Sequence, residues 1–146
     1  MSILFVCEGV KRPKFKSREV SQWLNYIISK YNQLPGDLTV IFCDDSYLIE
    51  LNRNFLSHDF FTDIITFDYT SENIVSGDMY ISVERVYDNS DIFQVPKEIE
   101  LLRVIVHGLF HLLGFEDKSD KGKKIIRELE NNALALFRDK NYGCFK

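Results

Sequence analysis

Apolar and polar positions along the chain alternate between a strand-like and a helix-like period. The apolar start at residues 2–8 predicts a strand. Val20, Trp23, Leu24, Ile27 and Ile28 then recur at helical spacing, which predicts a helix capped by Ser17 and running to about Gln33. Pro35-Gly36-Asp37 reads as a break, Leu38 to Cys43 as a strand, and Asp44-Asp45 as its end. Ser46 to Leu56 returns to helical spacing through Leu48, Leu51 and Phe55. Ile64–Tyr69 and Gly77–Ser82 are β-rich runs around a polar turn, a hairpin or a pair of neighbouring strands. A short helix is predicted over Val83–Ile92. A longer one follows, with Pro96 at its first position and Glu98 and Glu100 in the first turn, where acids favour the helix dipole. From Leu101 to Leu112 this helix is apolar on nearly every side, so it should be buried. Gly114 stops it, and a charged helix covers about Ser119 to Arg138. The order of elements predicts an α+β fold, one mixed sheet of about four strands packed with helices.

Composition narrows the reading. With 146 residues, 45% hydrophobic and 27% charged, the chain suits one globular domain over residues 1–146 and excludes collagen, coiled coil and disorder. Aromatics at 14% favour a packed core with several strands. Cys7, Cys43 and Cys144 are scattered and never spaced as CxxC, so they read as free thiols of a reducing compartment. No run approaches the ~18 apolar residues of a membrane helix, and no basic region precedes the first strand. The expectation is a soluble, cytoplasmic protein without a membrane partner. A net charge of −4 and a pI near 5.4 argue against a surface that is basic throughout, but leave room for a local basic patch.

The chemical signal lies in His107-Gly-Leu-Phe-His111-Leu-Leu-Gly114-Phe-Glu116-Asp117. Histidines at i and i+4 share one helix face, about 5–6 Å apart at Cβ, so both imidazoles can converge on one ion. Two polar rings in an apolar helix are costly unless something pairs with them. Gly114 permits the left-handed turn that brings Glu116 or Asp117 back to the same point. Two imidazoles and a carboxylate leave a fourth position open, the arrangement of a catalytic zinc site. The alternative, two hydrogen-bonded core histidines, explains the pair less well. HExxH peptidases share the histidine spacing, but Gly108 stands where their base glutamate would be.

The same stretch resembles the signature of the YbeY family, H-G-x-x-H-x-x-G-[YF]-x-H. Leu51-Asn52 is similar to the family's "LN" helix start, Thr62-Asp63-Ile64-Ile65-Thr66-Phe67 to its "TDVLSF" strand, and Gly77-Asp78-Met79-Tyr80-Ile81-Ser82 to its "GDIxIS" strand. The matches run in order from about residue 51 to 117. The resemblance implies a single-strand-specific, metal-dependent endoribonuclease of ribosomal RNA maturation, acting at the 3′ end of 16S rRNA and in ribosome quality control. Its implied partners are ribosomal RNA and the small ribosomal subunit, and its implied cofactor is one Zn²⁺ or another divalent ion per chain. His107, His111 and Asp117 would be the ligands. Glu116 and Asp120 are the nearest rivals to Asp117 in that role. Either could be the general base that the helix lacks, with Glu116 the choice beside His107 and His111 as catalytic residues. Two positions depart from the family: Asp117 replaces the third histidine, and Leu56 stands where relatives carry an arginine after the aromatic of the LN helix. Arg53 and His58 are the nearest substitutes. The rival readings are a metal hydrolase of another class, peptidase included, and a non-catalytic ribosome-associated factor.

Other candidates are weaker. Lys11, Arg12, Lys14, Lys16 and Arg18 surround Phe15, and cations interleaved with an aromatic suit single-stranded RNA. Lys14, Lys16, Arg18 and Arg53 are the RNA-binding candidates. Lys118, Lys121, Lys123, Lys124 and Arg127 form a second cluster, diluted by acids. Asp59 and Asp63 are candidates to support the metal ligands, whereas Asp68 and Asp78 read as turn and strand-end residues.

Overall fold

The computed structural model describes residues 3–56 and 62–140. Four strands, β1 (Ile3–Cys7), β2 (Leu34–Cys43), β3 (Ile64–Asp68) and β4 (Ile74–Ser82), form one sheet in the order β1-β2-β4-β3. β1 runs parallel to β2 and β2 parallel to β4, while β3 pairs antiparallel with β4. The helices among the described residues are α1 (Ser17–Lys30), α2 (Asp45–Leu56), α3 (Val83–Phe93), α4 (Lys97–Leu112) and α5 (Asp120–Asp139). The expected mixed α+β sheet and the hairpin are both present. None of these helices is long and apolar enough to cross a membrane.

Strand alternation divides the sheet into two unequal faces. Phe42, Met79 and Ile81 point into the main core against Trp23 and Leu24 of α1 and Leu102, Ile105 and Leu109 of α4. Their neighbours Cys43 and Ile65 face the other way, into a small cluster under Leu48 of α2. The Trp23 indole donates to the carbonyl of Ala133 at 2.8 Å, which fastens α1 to α5 inside the core. α4 is buried on most of its circumference, as its all-round apolar pattern requires.

Three boundary expectations need correction. Ser17 is already helical; Lys16 holds the cap position and makes no side-chain capping bond. Pro96 is the cap of α4 and not its first residue. Pro35-Gly36-Asp37 does not end an element: β2 starts at Leu34, with Pro35 opposite Val75 and a register shift before Leu38. A bulge absorbs the proline, which cannot donate to the ladder, and the missing Gly36 side chain leaves room for Ser76.

Candidate metal centre

The polar residues of α4 recur every three or four positions, as Glu100, Arg103, His107 and His111, and so trace one stripe along an otherwise apolar helix. The helix ends where Gly114 adopts φ +100°, and the Phe115 amide reaches back to the Phe110 carbonyl at 3.0 Å. This closing turn places the Phe115 carbonyl 2.9 Å from Nδ1 of His111. Two residues later, Asp117 Oδ2 lies 3.3 Å from His107 Nε2 and 3.5 Å from His111 Nε2. The two Nε2 atoms are themselves 2.9 Å apart. His107, His111 and Asp117 are the group of ligand-type side chains that converge among the described residues.

Hydrogen bonding fixes what the three atoms present. A carbonyl oxygen only accepts, so His111 Nδ1 carries a proton and its Nε2 a lone pair. His107 Nδ1 donates to Glu130 Oε2 at 2.6 Å, which likewise turns the His107 Nε2 lone pair inward. Two lone pairs and a carboxylate oxygen therefore face one another, an arrangement made attractive only by a proton or a cation between them. Ligands about 2.0–2.1 Å from a tetrahedral zinc stand roughly 3.3–3.4 Å apart, close to the separations found here. The donor set thus fits a divalent ion.

Glu130 was not anticipated as part of the site. It is a buried carboxylate in the apolar stripe of α5 between Ile126 and Ala133, and that misplaced acid is the signal the sequence held. Arg103 donates to its other oxygen at 2.9 Å and to Asn131 at 2.8 Å. Burial would raise the Glu130 carboxyl, but the hydrogen bonds from His107 and Arg103 outweigh it and hold it below the usual range. Burial also opposes charge on His107, yet Glu130, Asp117 and Asp63 together raise its pKa. Asp63, at the start of β3, is itself pushed up by burial despite the favourable effect of His107. It lines the same cleft as His107 and Asp117.

Gly108 explains why this helix is not an HExxH helix. A Cβ there would lie 2.6 Å from the Met79 sulfur and 2.7 Å from Ile64 Cδ1. The position that bears a peptidase's glutamate is thus pressed against the sheet, away from the ligands.

A cleft of about 370 Å³ opens beside the ligands, lined by His107, Asp117, Asp63, Glu100 and Glu130 among others. Glu116 is exposed and does not line it. Neither do the RNA-binding candidates: Lys14 borders a separate groove of about 670 Å³, Lys16 lies near Glu19, and Arg53 near Glu50 on α2. Arg18 is exposed on α1, and Leu56 is exposed at the end of α2. Asp120 is exposed in the first turn of α5, and Asp68 accepts from the Thr70 amide as a turn residue. Cys7 and Cys43 are free thiols. His58, Asp59 and Cys144 lie outside the described residues.

Comparison with known proteins agrees with this geometry. The family model described as Endoribonuclease YbeY matches residues 7–138. Among curated relatives, Endoribonuclease YbeY of Bacteroides fragilis is 44% identical over 136 residues, covering 93% of this chain and 98% of the relative. The protein of the same name from Flavobacterium psychrophilum is 44% identical over 129 residues, covering 86% and 92%. Among solved structures, the solution structure of a Thermotoga maritima protein superimposes with a TM-score of 0.67 at 27% identity, covering 94% of this chain and 90% of that one.

Proposed function

The chain belongs to the YbeY family of endoribonucleases, and from that premise we propose that it is a metal-dependent endoribonuclease cutting single-stranded ribosomal RNA precursors. Its substrate would be the 3′ end of 16S rRNA and its partner the small ribosomal subunit. The observation that carries the reading is the convergence of His107 Nε2, His111 Nε2 and Asp117 Oδ2 at the mouth of a cleft. We take the ion to be zinc, one per chain, because two imidazoles and a carboxylate leave it an open position. The hard carboxylate lets manganese or magnesium compete. When bound, such an ion supplies Lewis acidity at a phosphoryl oxygen and an activated water.

The chain's own residues do the rest. Glu130 and the Phe115 carbonyl hold the two imidazoles in the ligating tautomer. Glu116, one residue before Asp117, is the proposed proton acceptor. Lys14, Lys16, Arg18 and Arg53 are assigned to phosphates flanking the cut, since they stand away from the cleft.

The test is cleavage of a structured RNA with a single-stranded 3′ tail by metal-loaded protein, with and without chelator, beside casein as a control substrate. Chelator-sensitive cutting in the tail is expected. RNA bound but uncut would favour a non-catalytic ribosome-associated factor, and cleavage of casein alone would favour a peptidase.

A further inference from the structure

The cleft beside His107 and Asp117 has two unlike sides. α5 contributes Lys123 and Arg127, one turn apart, and α3 contributes Phe93, its last residue. Arg103, the third cation of the cleft, is committed to Glu130 and Asn131. Arg127 has only a 3.6 Å approach to Glu130 Oε1, the oxygen that Arg103 already holds at 2.9 Å. Its side chain is 57% exposed, so most of its five donors face solvent or the cleft. Lys123 is exposed too. Phe93, which lines the same cleft from α3, is 54% exposed.

Cations on one side and an open aromatic ring on the other match a nucleotide, whose phosphate needs charge and whose base needs a stacking partner. The volume, about 370 Å³, is at the small end for a ligand pocket and suits one residue of a strand. The acids of the cleft set the direction in which that nucleotide enters. Glu130 is offset by Arg103 and His107, while Lys123 and Arg127 are exposed on α5, so a phosphate is favoured on their side of the cleft.

We propose that Lys123 and Arg127 bind the phosphate next to the scissile one and that Phe93 stacks the adjoining unpaired base. This rests on the endoribonuclease reading and adds a substrate subsite to it. It also gives this chain a source of positive charge at the cleft itself, which no residue of α2 lines. A base inside a duplex has both faces stacked, so Phe93 favours single strands.

The experiment measures binding of an uncut single-stranded oligonucleotide bearing 2′-O-methyl groups, and cleavage of its RNA counterpart, by the full chain loaded with zinc. Lys123→Ala with Arg127→Ala should weaken binding at least tenfold and raise KM. The slope of log affinity against log salt should fall by about 0.7, for the one phosphate that the pair neutralises. Phe93→Ala should weaken binding about fivefold to a hundredfold without changing that slope, and Phe93→Trp should restore it. Binding of a blunt duplex should be indifferent to Phe93. Zinc content should be unchanged in Lys123→Ala and Phe93→Ala, which touch no ligand.

An unaltered salt slope in the double variant, or stacking-independent binding in Phe93→Ala, overturns the subsite even where the RNA is still cut. Failure of the unmodified protein to cut any RNA counts instead against the enzymatic reading, and the binding measurements still decide the subsite.

Discussion

Glu130 accepts a 2.6 Å hydrogen bond from Nδ1 of His107, across the interface of α4 and α5 and 23 residues along the chain. The same carboxylate takes Arg103 at 2.9 Å, so one buried acid both orients the His107 imidazole and neutralises a cation. Glu130→Ala should leave Arg103 with Asn131 alone and remove the acceptor of the His107 Nδ1 proton. A cost of about 3–5 kcal/mol in urea unfolding is expected, the usual penalty for breaking a buried pair. Metal affinity, read by chelator competition, should fall about 10–100-fold. Glu130→Gln retains an acceptor but not the charge and should fall between. Unchanged metal affinity in Glu130→Ala would remove Glu130 from the site.

Asp117 and Glu116 adjoin in sequence but differ in place. Asp117→Ala should lose most of the metal and all cleavage, because its carboxylate is the third converging group. Glu116→Ala should keep the metal while losing rate. Asp117→His should retain zinc and move the cleavage profile to lower pH, since a neutral imidazole leaves the centre one unit more positive. Metal retained in Asp117→Ala, measured by elemental analysis, would assign the ligand to another acid.

Protons and metal compete for the same lone pairs. His107 has its pKa raised from the usual value near 6.5: burial opposes its charge, but Glu130 and the nearby aspartates prevail. Without metal, charged His107 therefore adds stability that is complete below about pH 6.5 and lost as pH rises through the raised value. Metal binding has the opposite sign, because the imidazole must be deprotonated. The gain in Tm on adding zinc should thus grow steadily from pH 6 to pH 8. A gain that stays flat over that interval would contradict the two-histidine centre.

Gly108→Ala should destabilise the fold by about 1–3 kcal/mol, since its methyl would crowd Met79 and Ile64. Gly108→Glu should fail to fold or unfold far more readily, and should not cleave casein. Thermal unfolding of the two variants checks both statements; a stable Gly108→Glu would mean that α4 can lift from the sheet.

The residues that were legible in sequence are those whose meaning is local. His107, His111 and the Gly114 stop declare themselves through helical spacing and one backbone conformation, and Asp117 follows within the same turn. The strands and helices were legible for the same reason, although the sequence left β3 and β4 as either a hairpin or neighbouring strands and the structure pairs them antiparallel. Glu130 was not, because a glutamate in a charged amphipathic helix looks solvated until tertiary packing turns it inward. Lys123 and Arg127 were visible as a basic cluster, but only the packing of α3 and α5 on α4 makes them part of a cleft. Pro35-Gly36 misled because a bulge can carry a strand through a sequence that usually ends one.

The separation of His107 from Glu130 also orders events in time. At roughly 5–20 residues per second, the 23 residues between them take about one to five seconds to synthesise. During that interval a nascent chain holds both histidines but lacks the carboxylate that turns His107 inward. The contact that turns His107 inward therefore forms only once α5 packs on α4.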